Sequence, residues 1–368
     1  MKPVVVSIVP YKFLPAKIGG QKGIAFFNEY FSRYVELTCL TIKDNANELA
    51  KGYDAVNLFS TSAVRYINIF YFFSVRKIIN QKKASHLLIE HPYFGWLAIM
   101  IKFFTGVKLV VHSHNIEALR FKTLGKWWWP VLWNYEKWTH RYADYNFFIH
   151  EADRQYALEK FKLNPDKCLV VTYGIDIKEP PAREIKLQSV ELLRQKHHIS
   201  TEQKIFLFTG SFNYGPNVDA LKIIEQELCP TWNKQGLQFK VLVCGPWLEE
   251  GIVQHPDIII TGFVDSIEPY FQGADVFINP VMDGGGIKTK LVEALGYNCN
   301  AVSTVSGATG INPGLCNHKL FLAADGDWEN FAEKAIEACG LQTNTGPEFY
   351  QHFYWGYSTK KAADFIQE

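Results

Sequence analysis

The segment PVMDGGGIKTKLVEAL, residues 280–295, carries the densest set of chemically useful residues in the chain. It reads as a strand end, a run of glycines Gly284, Gly285 and Gly286, then Ile287 and a helix start. Glycines let a ligand approach the backbone, and a helix N-terminus offers free N–H groups and a positive dipole end. Lys288 and Lys290 sit at that start, with Glu293 one turn later. Such a set suits a diphosphate, with the carboxylate free for ribose hydroxyls. A glycine-rich turn with a solvated, charged first turn is the plainer reading. A second candidate is His114, at the end of KLVVHSH (108–114). An imidazole there can hydrogen-bond a hydroxyl or handle a proton near neutral pH. His112, one strand period earlier, reads as structural. His91 and Tyr93 follow the strand HLLIE and stand as acceptor-side candidates or as a plain turn.

The elements that must hold these groups alternate. PVVVSIV (3–9), VELTCLTI, AVNLF, HLLIE, KLVVHSH and YNFFIH are short apolar runs. Helical stretches near 24–33, 64–82 and 95–104 separate them. Apolar runs without strict alternation, separated by helices, predict parallel strands covered on both faces. The pattern restarts with KIFLFTG (204–210), FKVLVCG, DIIITGF, DVFINP and NAVST. Two doubly wound α/β domains are expected, at 1–177 and 178–345, joined by a polar stretch with a helix near 188–196. Ligands of such sheets bind beyond the carboxyl ends of the strands, which gives weight to Gly19-Gly20, Ser113-His114-Asn115, Gly210-Ser211 and Gly262-Phe263-Val264.

Composition supports two units and narrows the class. The 368 residues are long enough for about two cores. Residues 1–175 hold 23 Lys/Arg and 13 Asp/Glu, the remainder 15 and 24, so a basic half precedes an acidic one. The seven cysteines are scattered, with no C-x-x-C pair, which favours a reducing compartment over a disulfide or zinc module. There is no signal-peptide pattern and no apolar run long enough to span a bilayer, so a cytoplasmic enzyme is expected. No G-x-G-x-x-G follows the first strand, which argues against an NAD oxidoreductase.

TGSFNYGPNVDAL, VCGP and ITGFVDSIEPYFQGADVFINPVMDGGGIKTKLVEALGYNCNAVST together closely resemble the C-terminal domain of family 4 glycosyltransferases. Those are retaining enzymes of the GT-B fold, with two Rossmann-like domains facing across a cleft. The resemblance is strongest over 204–311. GGQKG (19–23), HSHNIEALRF (112–121), HEADR (150–154) and TYGID (172–176) extend it through the first half. The tail, 346–368, resembles the family's final helix, which crosses back to the first domain.

The resemblance implies roles. Glu293 matches the second acid of the family's glutamate pair and would hold the ribose. Lys290 and Lys288 would meet the diphosphate. Gly262, Phe263 and Val264 would hold the base, Gly210 and Ser211 would line the donor site, and Gly19 and Gly20 would close over the phosphates. His114 would reach the donor sugar or the acceptor. Two departures stand out: Gly285 occupies the place of the first acid, as in a GGG-turn subgroup, and SFNYGPN lacks the family's usual Arg and Lys.

The expected reaction is transfer of a sugar from a nucleoside diphosphate sugar to a hydroxyl acceptor, in polysaccharide or glycolipid synthesis. A GT-B epimerase and a non-catalytic sugar- or nucleotide-binding subunit are the rivals. No cofactor or metal is expected: Asp325-Gly326-Asp327 reads as a turn and helix cap, and His112-x-His114 lacks a third ligand. Glu151 reads first as a helix N-terminal acid. Trp127, Trp128, Trp129, Trp133 and Trp138, with Ile69–Phe73, lie among lysines and arginines. Core packing or a sugar-stacking wall explains them, and so does peripheral membrane contact with a glycan or lipid-linked acceptor. Nucleic acid is not expected, for want of a recognisable motif.

Overall fold

A computed structural model describes every residue except 1, 17–18, 249–250 and 284–285. The chain divides into two compact units, one of residues 1–174 with 355–368, the other of 175–354.

Unit 1 holds a parallel sheet of seven strands: β1 (Val4–Ile8), β2 (Glu36–Ile42), β3 (Asp54–Phe59), β4 (His86–Glu90), β5 (Lys108–Ser113), β6 (Tyr145–Phe148) and β7 (Cys168–Val170). Their order is β3-β2-β1-β4-β5-β6-β7. Unit 2 holds six: β8 (Lys204–Thr209), β9 (Phe239–Cys244), β10 (Ile258–Gly262), β11 (Val276–Asn279), β12 (Asn300–Thr304) and β13 (Leu320–Ala323), ordered β10-β9-β8-β11-β12-β13. Each is a Rossmann-like α/β domain, as the strand pattern predicts.

The apolar runs are explained by burial on both faces. In β8, Ile205 and Leu207 enter one core with Leu242 and Phe277, while Phe206 and Phe208 enter the other with Val241, Val243 and Ile278. Side chains alternate across the sheet, so both parities must be apolar. The strands β7 and β13 are absent from the sequence expectation. Both are short and stand at a sheet edge, where the apolar signal is weakest.

Two helices differ from expectation. The stretch 64–82 is a 3₁₀ turn, Ala63–Ile67, followed by the helix Tyr71–Lys82. The Asn68 side chain accepts from the Phe70 N–H and interrupts the helix there. The first helix spans Gly19–Phe31, so Gly19 and Gly20 form its first turn and not the loop before it. The final helix, Trp355–Phe365, belongs to unit 1, where Tyr34 Oη donates to Gly356 O and Trp355 meets Tyr173.

Candidate functional site

In unit 1 the chain runs outward through β1, β2 and β3, then returns to place β4 on the other side of β1. Loops leaving the carboxyl ends of β1 and β4 therefore diverge, which opens a crevice where ligands of such sheets bind. The polar groups gather here. Glu90 and His112 are register partners at the ends of β4 and β5, so both side chains leave the same side of the sheet. Glu90 Oε2 lies 2.6 Å from His114 Nε2 and 3.0 Å from His112 Nδ1. The His91 ring stacks on His114 at 4.4 Å, and His112 lies at 4.6 Å.

A second carboxylate, Glu117, completes the cluster. Its Oε2 accepts from Tyr93 Oη at 2.6 Å and from Arg120 at 2.7 and 3.0 Å. His91 Nδ1 lies 3.4 Å from Glu117 Oε1, and His91 Nε2 is 2.7 Å from Tyr11 Oη. Glu117 is placed by Glu136, whose two oxygens accept the N–H groups of Glu117 and Ala118 at 3.0 Å each, at the start of the helix Glu117–Thr123. His91 has φ 65°, a left-handed conformation rare outside glycine. Its backbone N–H donates to His112 O at 2.9 Å.

Burial opposes ionisation of Glu90, but the imidazoles of His112 and His114 outweigh it and hold its pKa below the ordinary carboxylate range. Burial likewise opposes ionisation of Glu117, and His91 and Arg120 overcome it. Burial lowers the pKa of His114 and of His91 against these partners. The result is two buried carboxylates, each neutralised by hydrogen-bond donors, as buried charges require.

The sequence expectation left His112-x-His114 without a third ligand. The structure supplies Glu90, making a Glu90–His112–His114 group that could hold a metal ion. The spacing favours hydrogen bonds instead. Tetrahedral ligands at about 2.0–2.1 Å from zinc lie roughly 3.3 Å apart, whereas Glu90 Oε2 is 2.6 and 3.0 Å from the two nitrogens.

His91 and Tyr93 fall in the same cluster, but their polar atoms face protein partners. Sequence reasoning missed Tyr11, Glu90 and Glu136. A signal existed for two of them: Glu90 ends an otherwise apolar run, and Glu136 is the lone acid between residues 118 and 143.

In unit 2 the corresponding reversal lies between β8 and β11. The ends of β8, β9 and β10 form a glycine-lined floor. Gly210 N donates to Cys244 O at 3.0 Å and Gly245 N to Gly262 O at 2.8 Å. Gly262 has φ 69°, and the next side chain, Phe263, is 63% exposed, while Val264 packs on the core below. Ser211 Oγ is buried with no hydrogen-bond partner among the described residues, and Asn217 Nδ2 holds Ser211 O at 2.9 Å.

Beside this floor, β11 leads to the helix Thr289–Gly296. The exit is tied down: Asn279 Nδ2 donates to Ser303 Oγ and Gly307 O, and Thr304 Oγ1 to Val281 O. Gly284 and Gly285 lie outside the described residues. Gly286 has φ 71°, and Ile287 packs against the core. Lys288 precedes the helix as its cap residue, and burial lowers its pKa, with Asp283 opposing. Lys290 Nζ pairs with Glu293 Oε2 at 2.7 Å, and Glu293 is buried. The first N–H groups of this helix have no partner within it.

Asp327 is the N-cap of the helix Trp328–Cys339, accepting from Asn330 N at 3.1 Å, as the turn-and-cap reading of DGD holds. Glu151 opens the helix Glu151–Tyr156 and pairs with Arg154 at 2.9 Å.

Residues 32–179 match the family described as Glycosyltransferase Family 4, and residues 203–340 match Glycosyl transferases group 1. A relative from Candida glabrata, chitobiosyldiphosphodolichol beta-mannosyltransferase, is 24% identical over 168 residues, 40% of this chain. That match spans 37% of the relative's length. Among solved structures, a glycosyltransferase from Rickettsia africae ESF-5 superposes with TM-score 0.72 at 14% identity, covering 100% of this chain and 98% of that one. HepE from Anabaena, in complex with UDP and glucose, gives TM-score 0.71 at 12% identity, with 99% of each chain covered. With both halves matched and the two-domain α/β fold shared with these structures, the chain belongs to the family 4, group 1 glycosyltransferases.

Proposed function

We propose that the protein transfers a sugar from a nucleoside diphosphate sugar to a hydroxyl of a glycan or lipid-linked acceptor, with retention of configuration, in cell-surface polysaccharide or glycolipid synthesis. The observation that carries this reading is the gathering of polar groups at the strand-order reversal of each sheet. In unit 2, Gly210, Ser211, Gly262, Phe263 and Val264 receive the nucleoside. Gly284–Gly286, Ile287, Lys288 and Lys290 receive the diphosphate, and Glu293 the ribose. Fixed cations and helix N–H groups then stabilise the leaving diphosphate without a metal or other cofactor. In unit 1, the role of closing over the phosphates falls to Gly19 and Gly20, at the start of the first helix. His114 meets the transferred sugar, and His91 and Tyr93 stand on the acceptor side.

A thermal-shift screen against UDP, GDP, ADP and their sugars tests the reading, since ligands of the native state raise its melting temperature. A shift with one nucleoside diphosphate, followed by transfer that survives EDTA, is expected. Conversion of the donor sugar without acceptor would instead indicate an epimerase. Binding without transfer or hydrolysis would indicate a non-catalytic subunit. Loss of transfer in EDTA, restored by Mn²⁺ or Mg²⁺, would overturn metal independence.

We also infer that unit 1 touches an anionic membrane surface, which would place the enzyme at the cytoplasmic leaflet. Trp127 is 86% exposed, whereas Trp128 and Trp129 are half-buried, so the tryptophan run is only partly a surface feature. The larger exposed aromatic set is Phe70, Phe73, Phe103 and Phe104. Ring contacts form two groups: Phe72 meets Phe73 and Phe104, and separately Phe103 meets Tyr142, which meets Trp138. Residues 61–83 and 95–108 contain no Asp or Glu, and Arg76, Lys77 and Arg141 are exposed among them or beside them. Exposed rings among cations suit an anionic interface. Among the described residues no helix is long and apolar enough to cross a membrane.

A further inference from the structure

His114 has one ring nitrogen committed and one open. Nε2 faces Glu90 Oε2 at 2.6 Å, and no hydrogen bond reaches Nδ1 among the described residues. The ring cannot easily turn over. His91 stacks on it at 4.4 Å and His112 lies at 4.6 Å. His91 is itself held between Tyr11 and Glu117. Glu90 is fully buried and accepts from His112 as well, using Oε2 at 3.0 Å and Oε1 at 3.3 Å. Of the three imidazole side chains, that of His114 is the most open, at 11% against 7% for His91 and 4% for His112.

We propose that Glu90 is a positioning residue: it holds His114 as the Nε2–H tautomer, so that Nδ1 is presented to the substrate as a hydrogen-bond acceptor. This rests on the reading that His114 meets the transferred sugar. An ionised carboxylate accepts and cannot donate. At 2.6 Å from Glu90, His114 Nε2 must therefore carry the proton, since a bare lone pair there would face negative charge. Burial disfavours a charged ring and lowers its pKa, with Glu90 opposing. A neutral ring protonated at Nε2 has only an acceptor at Nδ1.

The consequence is specificity. Nδ1 takes an O–H donor, such as a sugar hydroxyl, and repels a phosphate oxygen. The same tautomer argument applies to His112, whose Nδ1–H faces Glu90. Both nitrogens that a metal would need are then protonated.

The test begins on the unaltered protein. Long-range ¹H–¹⁵N spectra of ¹⁵N-histidine-labelled protein at pH 7.5, with His114 assigned from a His114→Gln spectrum, should show Nε2 protonated and Nδ1 bare. A bare Nε2, or an averaged pair of tautomers, would overturn the proposal. So would zinc that binds the protein and abolishes both N–H signals of His112 and His114. The Glu90→Gln carboxamide is uncharged and can turn either its carbonyl oxygen or its NH₂ group toward the rings, so it no longer dictates which imidazole nitrogen carries the proton. At least one of His112 and His114 should then populate the other tautomer. Turnover is read with UDP-glucose, UDP-galactose and GDP-mannose in turn. For whichever donor reacts, kcat should fall at least about tenfold with KM nearly unchanged, because a histidine in the wrong tautomer is an ineffective catalyst. Unchanged tautomers and unchanged kcat in Glu90→Gln would overturn the positioning role. Turnover of no donor by the unaltered protein would count against the transferase reading alone, and the spectra would still decide the role of Glu90.

Discussion

A methyl group built on Gly245 would stand 1.7 Å from the carbonyl oxygen of Gly210, so the residues that follow β9 and β8 are in direct backbone contact. Gly245 also has φ 153°, where other residues are strained. Gly245→Ala must push the two strand ends apart. It is expected to cost about 1–3 kcal/mol or more in urea unfolding, and to abolish the thermal shift from nucleoside diphosphates. At Gly210 the atoms nearest the same methyl belong to the Asn217 side chain, at 2.8 Å, which gives way more readily than backbone, so Gly210→Ala should be milder. Equal stability of Gly245→Ala and the parent would show that the floor is not built this way.

The pairing of Lys290 with Glu293 at 2.7 Å bears on both residues. If Lys290 meets the diphosphate, Lys290→Ala should weaken nucleoside diphosphate binding by roughly 1.5–3 kcal/mol, the scale of a charge-assisted hydrogen bond. The nucleoside alone should lose less. Glu293→Gln should instead blunt the preference for ribose over 2′-deoxyribose nucleotides. Calorimetry with the four ligand–variant combinations checks this; unchanged diphosphate affinity in Lys290→Ala would remove Lys290 from the phosphate site.

How legible these features were in the sequence depended on the range of the interaction. Strands such as KIFLFTG declare themselves because both faces are buried, and the glycines at 210, 245 and 262 stand at their ends. The cap at Asp327 is equally local. The unit 1 cluster is different. Glu90, His112 and Glu117 come together only through the register of β4 with β5 and the packing of Glu136 from a later helix. No short motif encodes that meeting. His114 was visible because it ends a strand, whereas the carboxylate that orients it lies 24 residues away. The exposed Phe103 and Phe104 were hidden for a related reason: they continue the apolar pattern of 95–104, and only the fold shows that this end of the helix is uncovered.

His140 offers a test by pH. It is buried, its Nδ1–H donates to Asn146 Oδ1 at 2.8 Å, and its ring stacks on Phe148 and Phe161. Burial pushes its pKa down to about 4 from 6.5, with the Asn146 contact opposing. A lowered histidine pKa favours the folded state fully above pH 6.5, and the benefit is lost as pH falls toward 4, because the unfolded chain gains the proton first. The full shift corresponds to roughly 3 kcal/mol. Urea unfolding from pH 7.5 to 4.5 should show falling stability, and His140→Phe should show a shallower slope whatever its stability at pH 7.5. Identical slopes would mean that His140 is not held neutral.

The membrane reading makes the most exposed prediction. Each Lys or Arg near an anionic bilayer contributes about 1 kcal/mol, and salt screens it. Rings such as Phe70, Phe103 and Trp127, which are 72%, 73% and 86% exposed, add apolar area that salt does not screen. The unaltered protein should therefore sediment with vesicles rich in anionic lipid at low salt, weaken but not vanish at high salt, and ignore zwitterionic vesicles. Arg76→Gln with Lys77→Gln should lower the low-salt binding. Phe70→Ser, Phe103→Ser and Trp127→Ser together should remove what persists at high salt. These positions are chosen over Trp128 and Trp129, which are half-buried and whose loss would confuse binding with folding. Sedimentation velocity without lipid separates the other use of such a surface, since self-association would bury the same rings at high salt. No binding to anionic vesicles at low salt would leave the basic half to serve the donor phosphates and an anionic acceptor.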